Sequence, residues 1–347
     1  MADPLHERRQ IGRSALKLPR VGFGCGPIGG SQLLDDASAA AVLAAAWDAG
    51  LRYFDTAPWY GNTQSEHRLG TFLRTRDAGS FNITTKVGRV YRAPRPGEDF
   101  GATRWRKRWP GGLSFIPQFD YSRSGILRSY EDSLARLGLP RVDALAIHDL
   151  DQRHQSSEEG IEAGFAALEA GGFAALAELK ASGAIDAIGA GINFAGLIPR
   201  FLERFPIDYF VLSMPYTLLD QAALAQELPL CEMHGASVII GAPFASGILA
   251  SGSIPGATYA YAPVADDVRE RVMRIEKHTT AHGVSLPAAA LQFPLAHPQV
   301  AAIIPGAEKA EHVRANVASV TEPIPAAFWR ALVEDGLIDP AAPLPAP

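Results

Sequence analysis

Four polar or ionisable residues close short apolar runs. Asp55 follows Tyr53 and Phe54, Lys86 follows Ile83, Thr84 and Thr85, His148 follows Leu145, Ala146 and Ile147, and Asn193 follows Ile192. A fifth candidate, Tyr60, lies in the segment FDTAPWYG, where Pro58 restricts the backbone and Gly61 releases it. A phenol ordinarily loses its proton near pH 10, which makes a tyrosine on its own a poor base at neutrality. An ammonium within hydrogen-bond reach favours the phenolate, and a carboxylate behind that ammonium keeps it charged. Tyr60, Lys86 and Asp55 can thus form a tuned proton donor or acceptor, with His148 as a second group to orient a substrate oxygen. Such a set suits carbonyl and alcohol chemistry. None of these side chains accepts hydride, so a redox reaction here requires a separate carrier. For any one of them alone, a solvated strand end is the simpler reading; it is their convergence that points to function.

Convergence requires a scaffold. Short β-rich or apolar runs fall at residues 21–24, 53–55, 82–86, 144–148, 187–192, 209–212, 237–241 and 300–304. Segments with helical spacing lie between them at 36–49, 65–73, 124–137, 165–182, 195–205, 222–234 and 264–283, and another, 311–319, follows the last run. Several end at a glycine able to adopt a left-handed cap. Eight strand-then-helix units predict an α/β fold of the (β/α)8 TIM-barrel type, because parallel strands need crossovers and closure leaves no sheet edge. All strand ends then open at one mouth. A β-hairpin, residues 9–11 and 16–18 around Gly12-Arg13, precedes the barrel. A long loop after the third strand, residues 88–121, holds seven basic side chains against three acidic ones, with Trp105 and Trp109 in its most basic stretch. It reads either as a solvated excursion or as a lid, since loops of this length in compact domains are usually functional. Residues 1–338 are expected to form a single domain, and the Pro- and Ala-rich 339–347 an untied tail.

Composition narrows the ligand. Of 347 residues, 47% are apolar and 20% charged, which excludes wholesale disorder. A net charge of −5 gives no general electrostatic case for nucleic acid or an anionic membrane. The longest apolar run, 39–47, is far short of the roughly 20 residues of a membrane helix, and the N-terminal stretch lacks a signal-peptide pattern. Cys25 and Cys231 allow at most one disulfide and suggest no metal site. A soluble cytoplasmic protein acting on a small molecule is the expectation.

The segments GFGCGPIGG, FDTAPWYG, ITTKVG, the run ending in His148, IGAGIN and IPGAEKAEHVRAN span nearly the whole chain, and together they resemble the aldo-keto reductase superfamily. The resemblance implies a (β/α)8 barrel that binds an extended nicotinamide dinucleotide without a Rossmann domain. It also implies the catalytic tetrad Asp55, Tyr60, Lys86 and His148, with Tyr60 as general acid/base. Gly24, Gly26 and Gly29 do spell GxGxxG, but Pro27 interrupts it and GGSQLLDD precedes the next expected helix. A Rossmann fingerprint opens a helix directly, so these glycines are read as close backbone packing at the barrel mouth.

The same resemblance makes Asn193 the carboxamide candidate and places Ser213 where a Gln is common on the sixth strand. Phe244 is a candidate for stacking on the nicotinamide, and equally for ordinary core; Ser246, Gly247 and Leu249 are candidates for the pyrophosphate. At the adenosine end, Gly306 and His312 stand where NADP-preferring relatives often carry Lys and Arg, with Glu308 close by and Asn316 near the adenine. A carboxylate about 4 Å from a phosphate costs on the order of several kcal/mol at an effective dielectric near 20, whereas it accepts readily from a ribose hydroxyl. NAD is therefore the expected cofactor, and NADP would require Lys309 or Arg314 to serve the phosphate. GAGIN and the YTLLDQ segment, residues 216–221, resemble a bacterial branch that oxidises either an aldose such as L-fucose or pyridoxal to a lactone. The sugar is the first choice, although Trp59, Trp105 and Trp109 could stack on a sugar face or on a pyridine ring. A general aldehyde reductase is a further alternative, and a nonenzymatic cofactor-binding regulatory subunit a distant one.

Overall fold

The computed structural model describes residues 4–30, 34–98, 108–260 and 262–346. Eight parallel strands form one sheet: β1 Phe23–Gly24, β2 Tyr53–Asp55, β3 Asn82–Val87, β4 Ala144–Ile147, β5 Ala187–Ile192, β6 Tyr209–Leu212, β7 Ser237–Ile240 and β8 Val300–Ile303. Their order in space is their order in the chain. The bridges Val21↔Ile303 and Gly24↔Gly306 join the last strand to the first, with the Gly22 N–H donating to the Ile303 carbonyl at 2.9 Å. The sheet closes, and the predicted (β/α)8 barrel is the fold.

Period-two alternation decides what each strand end can do. On β2, Phe54 packs outward among the helices while Tyr53 joins the inner cluster. Asp55 therefore faces inward with Tyr53. On β4, Ala144 and Ala146 belong to the inner cluster, and Leu145 and Ile147 to the outer layer. His148 shares the inward parity. Along β5 the same count puts Ile188, Ala190 and Ile192 outside and carries Asn193 inward. A slip of one residue would send all of these groups into the helical layer.

The inner cluster is completed from below by Ile11, Leu16 and Leu18 of the N-terminal hairpin, whose strands are Arg8–Gln10 and Lys17–Pro19. The predicted helices are present with adjusted limits, and Leu286–Leu295 and Ala326–Glu334 are helical as well. The helical segment expected at 165–182 begins earlier and runs Glu158–Ala181, passing through a π turn at Leu168–Gly172. It is long and apolar enough to span a membrane by composition, but Ile161, Phe165, Leu168, Phe173 and Leu176 are buried in the barrel's outer layer. Cys25 and Cys231 are buried free thiols.

Two expectations need correction. The loop after β3 is not simply a solvated excursion, because Arg89–Arg92 and Ile116–Phe119 pair as an antiparallel hairpin and Trp109 is buried. Nor is the C-terminal segment untied: Ala342 is buried in the main core, Leu344 packs against it, and the Asp339 N–H donates to Gln221 Oε1 at 3.3 Å. Its apolar side chains hold it despite the prolines.

Candidate active site

Strand ends β2 and β3 build the charged pair. Lys86 Nζ donates to Asp55 Oδ1 at 2.6 Å and to the Thr56 carbonyl at 2.8 Å, while the Thr84 hydroxyl donates to Asp55 Oδ2 at 2.7 Å. Both members are essentially sealed, at 1% and 2% exposure. A buried ammonium and carboxylate persist only when every polar atom is partnered. Here the carboxylate takes one bond on each oxygen.

Tyr60 arrives from the turn after β2. Its N–H bonds to the Ala57 carbonyl, its carbonyl accepts from the Ser65 N–H, and Asn62 and Thr63 sit at positive φ. The turn is clamped by backbone contact. At Gly61, φ is +66°, and a Cβ would lie 1.7 Å from the Gly29 carbonyl oxygen. A Cβ on Gly29 would in turn meet the Tyr60 carbonyl at 2.6 Å. The third glycine of GxGxxG thus serves close packing, as its context implied; the only helix in that motif is the short Gly26–Gly30. From the other side, the Leu113 N–H donates to the Gly61 carbonyl at 2.9 Å, tying the post-β3 loop to the same turn.

These elements bring the tetrad together. Lys86 Nζ lies 5.0 Å from the Tyr60 ring centre, and the Tyr60 and His148 rings meet edge to face at 6.0 Å. Burial drives the His148 imidazole well below its ordinary range, against the opposing pull of Asp149, with Lys86 and Arg89 adding to the depression. His148 is accordingly neutral at physiological pH. A neutral imidazole positions an oxygen by hydrogen bonding without introducing a net charge.

Around His148 lies a network that the sequence reading did not single out. Asp149 adopts φ +58°, unusual for a side-chain-bearing residue. Its Oδ2 accepts from Arg89 at 2.9 Å, and its Oδ1 sits 3.5 Å from both His148 Nε2 and His154 Nδ1. The Arg89 guanidinium is itself sandwiched 4.0 Å from the Trp59 ring centre and 4.5 Å from that of Phe119. Asp151 pairs with His154 Nδ1 at 2.8 Å and accepts from Asn193 Nδ2 at 2.6 Å. Asp149, Asp151 and His154 have the composition of a metal site, with ligand atoms within 4.8 Å of one another. Their carboxylates are instead engaged by the donors Arg89 and Asn193. The available signal was the segment HDLDQRH, residues 148–154, in which two carboxylates and a second imidazole follow a strand-terminal histidine.

All four tetrad residues line one cavity of about 1450 Å³. This exceeds the roughly 300–1,000 Å³ usual for one small ligand, leaving room for a dinucleotide together with a substrate. Trp59, Trp109 and His154 line it, as do Asn193, Ser213, Phe244, Ser246 and Gly247, and also Gly306, Glu308, His312 and Asn316. Leu249 does not: it is fully buried in the outer core, and its N–H is bonded to the Phe244 carbonyl. Its assignment to the pyrophosphate is corrected, since the turn through Ser246 and Gly247, both at positive φ, directs the following residues inward. Trp105 lies outside the described residues.

The donor set fits a nicotinamide dinucleotide. With its amide nitrogen committed to Asp149 and Asp151, Asn193 leaves Oδ1 as the atom that would accept from a carboxamide NH2. Phe244 is only partly buried and borders the cavity, as a residue that stacks on the nicotinamide must. Residues 20–334 match the sequence profile of the aldo/keto reductase family. The chain belongs to that family. It is 37% identical over 342 residues to pyridoxal 4-dehydrogenase of Microbacterium luteolum, covering 96% of this chain and 98% of that one. Over 337 residues it is 35% identical to D-threo-aldose 1-dehydrogenase of Pseudomonas sp, covering 94% and 96%. Its barrel superposes on aldo-keto reductase AKR11C1 from Bacillus halodurans, holo form, with a TM-score of 0.73 at 24% identity, covering 95% of each chain. As an aldo-keto reductase it is an NAD(P)-dependent oxidoreductase, and the nicotinamide supplies the hydride acceptor or donor that no side chain provides.

Proposed function

We propose that this aldo-keto reductase is an NAD-dependent dehydrogenase that oxidises the anomeric hydroxyl of an aldose of the L-fucose type to the corresponding lactone. The observation that carries the reading is the single cavity lined at once by the tetrad, by Trp59, Trp109 and His154, and by Glu308. Tyr60, as phenolate, takes the proton of the anomeric hydroxyl while C1 gives up hydride. Lys86 favours that phenolate, Asp55 holds Lys86, and neutral His148 orients the reacting oxygen. The indole walls suit the apolar face of a pyranose, and polar groups beside them suit its hydroxyls.

NAD is supported at the adenosine end. Glu308 lines the cavity, whereas Lys309 and Arg314 do not, and Lys309 pairs with Glu311 at 3.6 Å. The carboxylate would repel a 2′-phosphate and accept from a ribose hydroxyl. A kcat/KM that favours NADP over NAD would reject this preference.

A panel of aldoses and pyridoxal, assayed at 340 nm with both nucleotides, tests the substrate. L-Fucose or a related aldose should give the highest kcat/KM. Pyridoxal as the better substrate would favour the activity named for the Microbacterium luteolum relative, and tight nucleotide binding with no turnover of any lactol or aldehyde would favour a regulatory subunit. Tyr60→Phe should abolish turnover while cofactor affinity persists.

A further inference from the structure

The tetrad accounts for the reacting carbon and its oxygen, but not for the second imidazole in the same cavity. His154 reaches the cavity wall from the short helix Gln152–Gln155, beside Trp59, at 6.5 Å between ring centres. Its Nδ1 edge is turned toward carboxylates, with Asp151 Oδ1 at 2.8 Å and Asp149 Oδ1 at 3.5 Å. The Asp151 side chain is completely buried. A carboxylate at Nδ1 makes that nitrogen the proton-bearing one, leaving Nε2 as the acceptor of the neutral ring. Among the described residues Nε2 has no hydrogen-bond partner, and His154 lines the cavity.

We propose that His154, oriented by Asp151, is a substrate-binding residue whose Nε2 accepts a hydrogen bond from a substrate hydroxyl beyond the reacting carbon. An alcohol can supply that proton; an ether, a carbonyl or a methylene cannot. The site therefore selects polyhydroxylated substrates over alkyl ones. Asp151 also has a positioning role, because its second oxygen holds Asn193 Nδ2 at 2.6 Å. One buried carboxylate thus fixes both the hydroxyl acceptor and the amide suited to a carboxamide, and holds them beside one another. The inference deepens the aldose reading and rests on it for the physiological substrate.

The test uses two aldehydes of equal chain length, glyceraldehyde and propanal, which differ in their hydroxyls. KM for their reduction is measured with the reduced cofactor, alongside dissociation constants on the enzyme–NAD complex from saturation-transfer NMR. His154→Phe preserves an aromatic ring beside Trp59 and removes Nε2. It is expected to weaken glyceraldehyde about tenfold in KM and dissociation constant, to leave propanal within twofold, and to leave kcat for both little changed. His154→Gln, which can return an acceptor to the Nε2 position, should restore part of the difference. Equal losses for the two aldehydes, no loss for either, or wild-type enzyme that binds both equally would overturn the assignment. Failure to oxidise any aldose would reject the proposed function separately, because the aldehyde comparison does not depend on it.

Discussion

Lys86→Met isolates the contribution of charge to the proton transfer. In the wild type the ammonium stands 5.0 Å from the centre of the Tyr60 ring. A unit charge at that distance from a phenolate is worth about 3 kcal/mol at an effective dielectric near 20, or roughly a hundredfold in the population of the reactive form. Oxidation at pH 7 should therefore fall by about 10² in kcat/KM. The loss should hold up to about pH 8 and then shrink by about tenfold per unit toward pH 10, where a phenol ionises without help. Steady-state rates across this range, with nucleotide affinity measured in parallel, provide the assay. Removing Lys86 also strands Asp55, whose exposure is only 2%, and an unpaired buried charge costs about 3–5 kcal/mol of stability. The double variant Asp55→Asn/Lys86→Met removes that burden and should regain stability without regaining activity at pH 7. A single variant whose pH profile keeps its wild-type shape at reduced amplitude would refute the claim that Lys86 acts through the Tyr60 proton.

Two further perturbations probe the support of the site. Because burial depresses the His148 pKa in the folded state, the unfolded chain binds the proton first as acidity increases. Its contribution to stability is complete above about pH 6.5, the ordinary histidine value, and is lost progressively below it. Urea titrations of wild type and His148→Gln between roughly pH 7 and 5 should diverge, with the wild type losing more stability; parallel curves would count against a buried neutral imidazole. Gly61→Ala places a Cβ 1.7 Å from the Gly29 carbonyl at a φ of +66°. The turn must shift and carry Tyr60 with it, so kcat should drop at least tenfold while nucleotide affinity changes little. An unchanged kcat would show that this contact does not position the phenol.

The parts of the site legible in the sequence are those governed by strand parity. Asp55, His148 and Asn193 announce themselves because a polar residue closes an apolar run, and the inward count in β2, β4 and β5 then places each at the mouth. Tyr60 was legible from Pro58 and Gly61, whose backbone demands mark a shaped turn. Residues that act through others left a weaker trace. Arg89 is a buried cation in a loop whose basic composition suggested solvent, and only its sandwich between Trp59 and Phe119 shows why it is inside. Asp151 and His154 lie past the strand, where no period assigns a direction. Leu249 was misplaced for a related reason: the consecutive positive-φ residues before it turn the chain in a way composition does not reveal. The helix Leu286–Leu295 contains Pro294, which obscured its pattern, and Ala326–Glu334 begins directly after Pro325.

Chemistry and selectivity therefore have different structural origins in this barrel. Asp55, Lys86 and His148 are fixed by the closed sheet, where a one-residue change of register would remove all three together, and Tyr60 is held beside them by the turn packed on Gly29. The cavity wall that the proposed function assigns to the rest of the substrate comes from the post-β3 loop through Trp109 and from the post-β4 segment through His154. Loops can change without reopening the sheet. Relatives 35% and 37% identical to this chain over nearly its full length carry names that refer to substrates as different as an aldose and pyridoxal. Asp149 and Asp151 are where the two parts meet, since the segment that leaves β4 touches the tetrad imidazole on one side and the substrate wall on the other. Substrate choice in this enzyme should therefore be most sensitive to changes at that junction, and the hydride chemistry least sensitive to changes farther along the same loops.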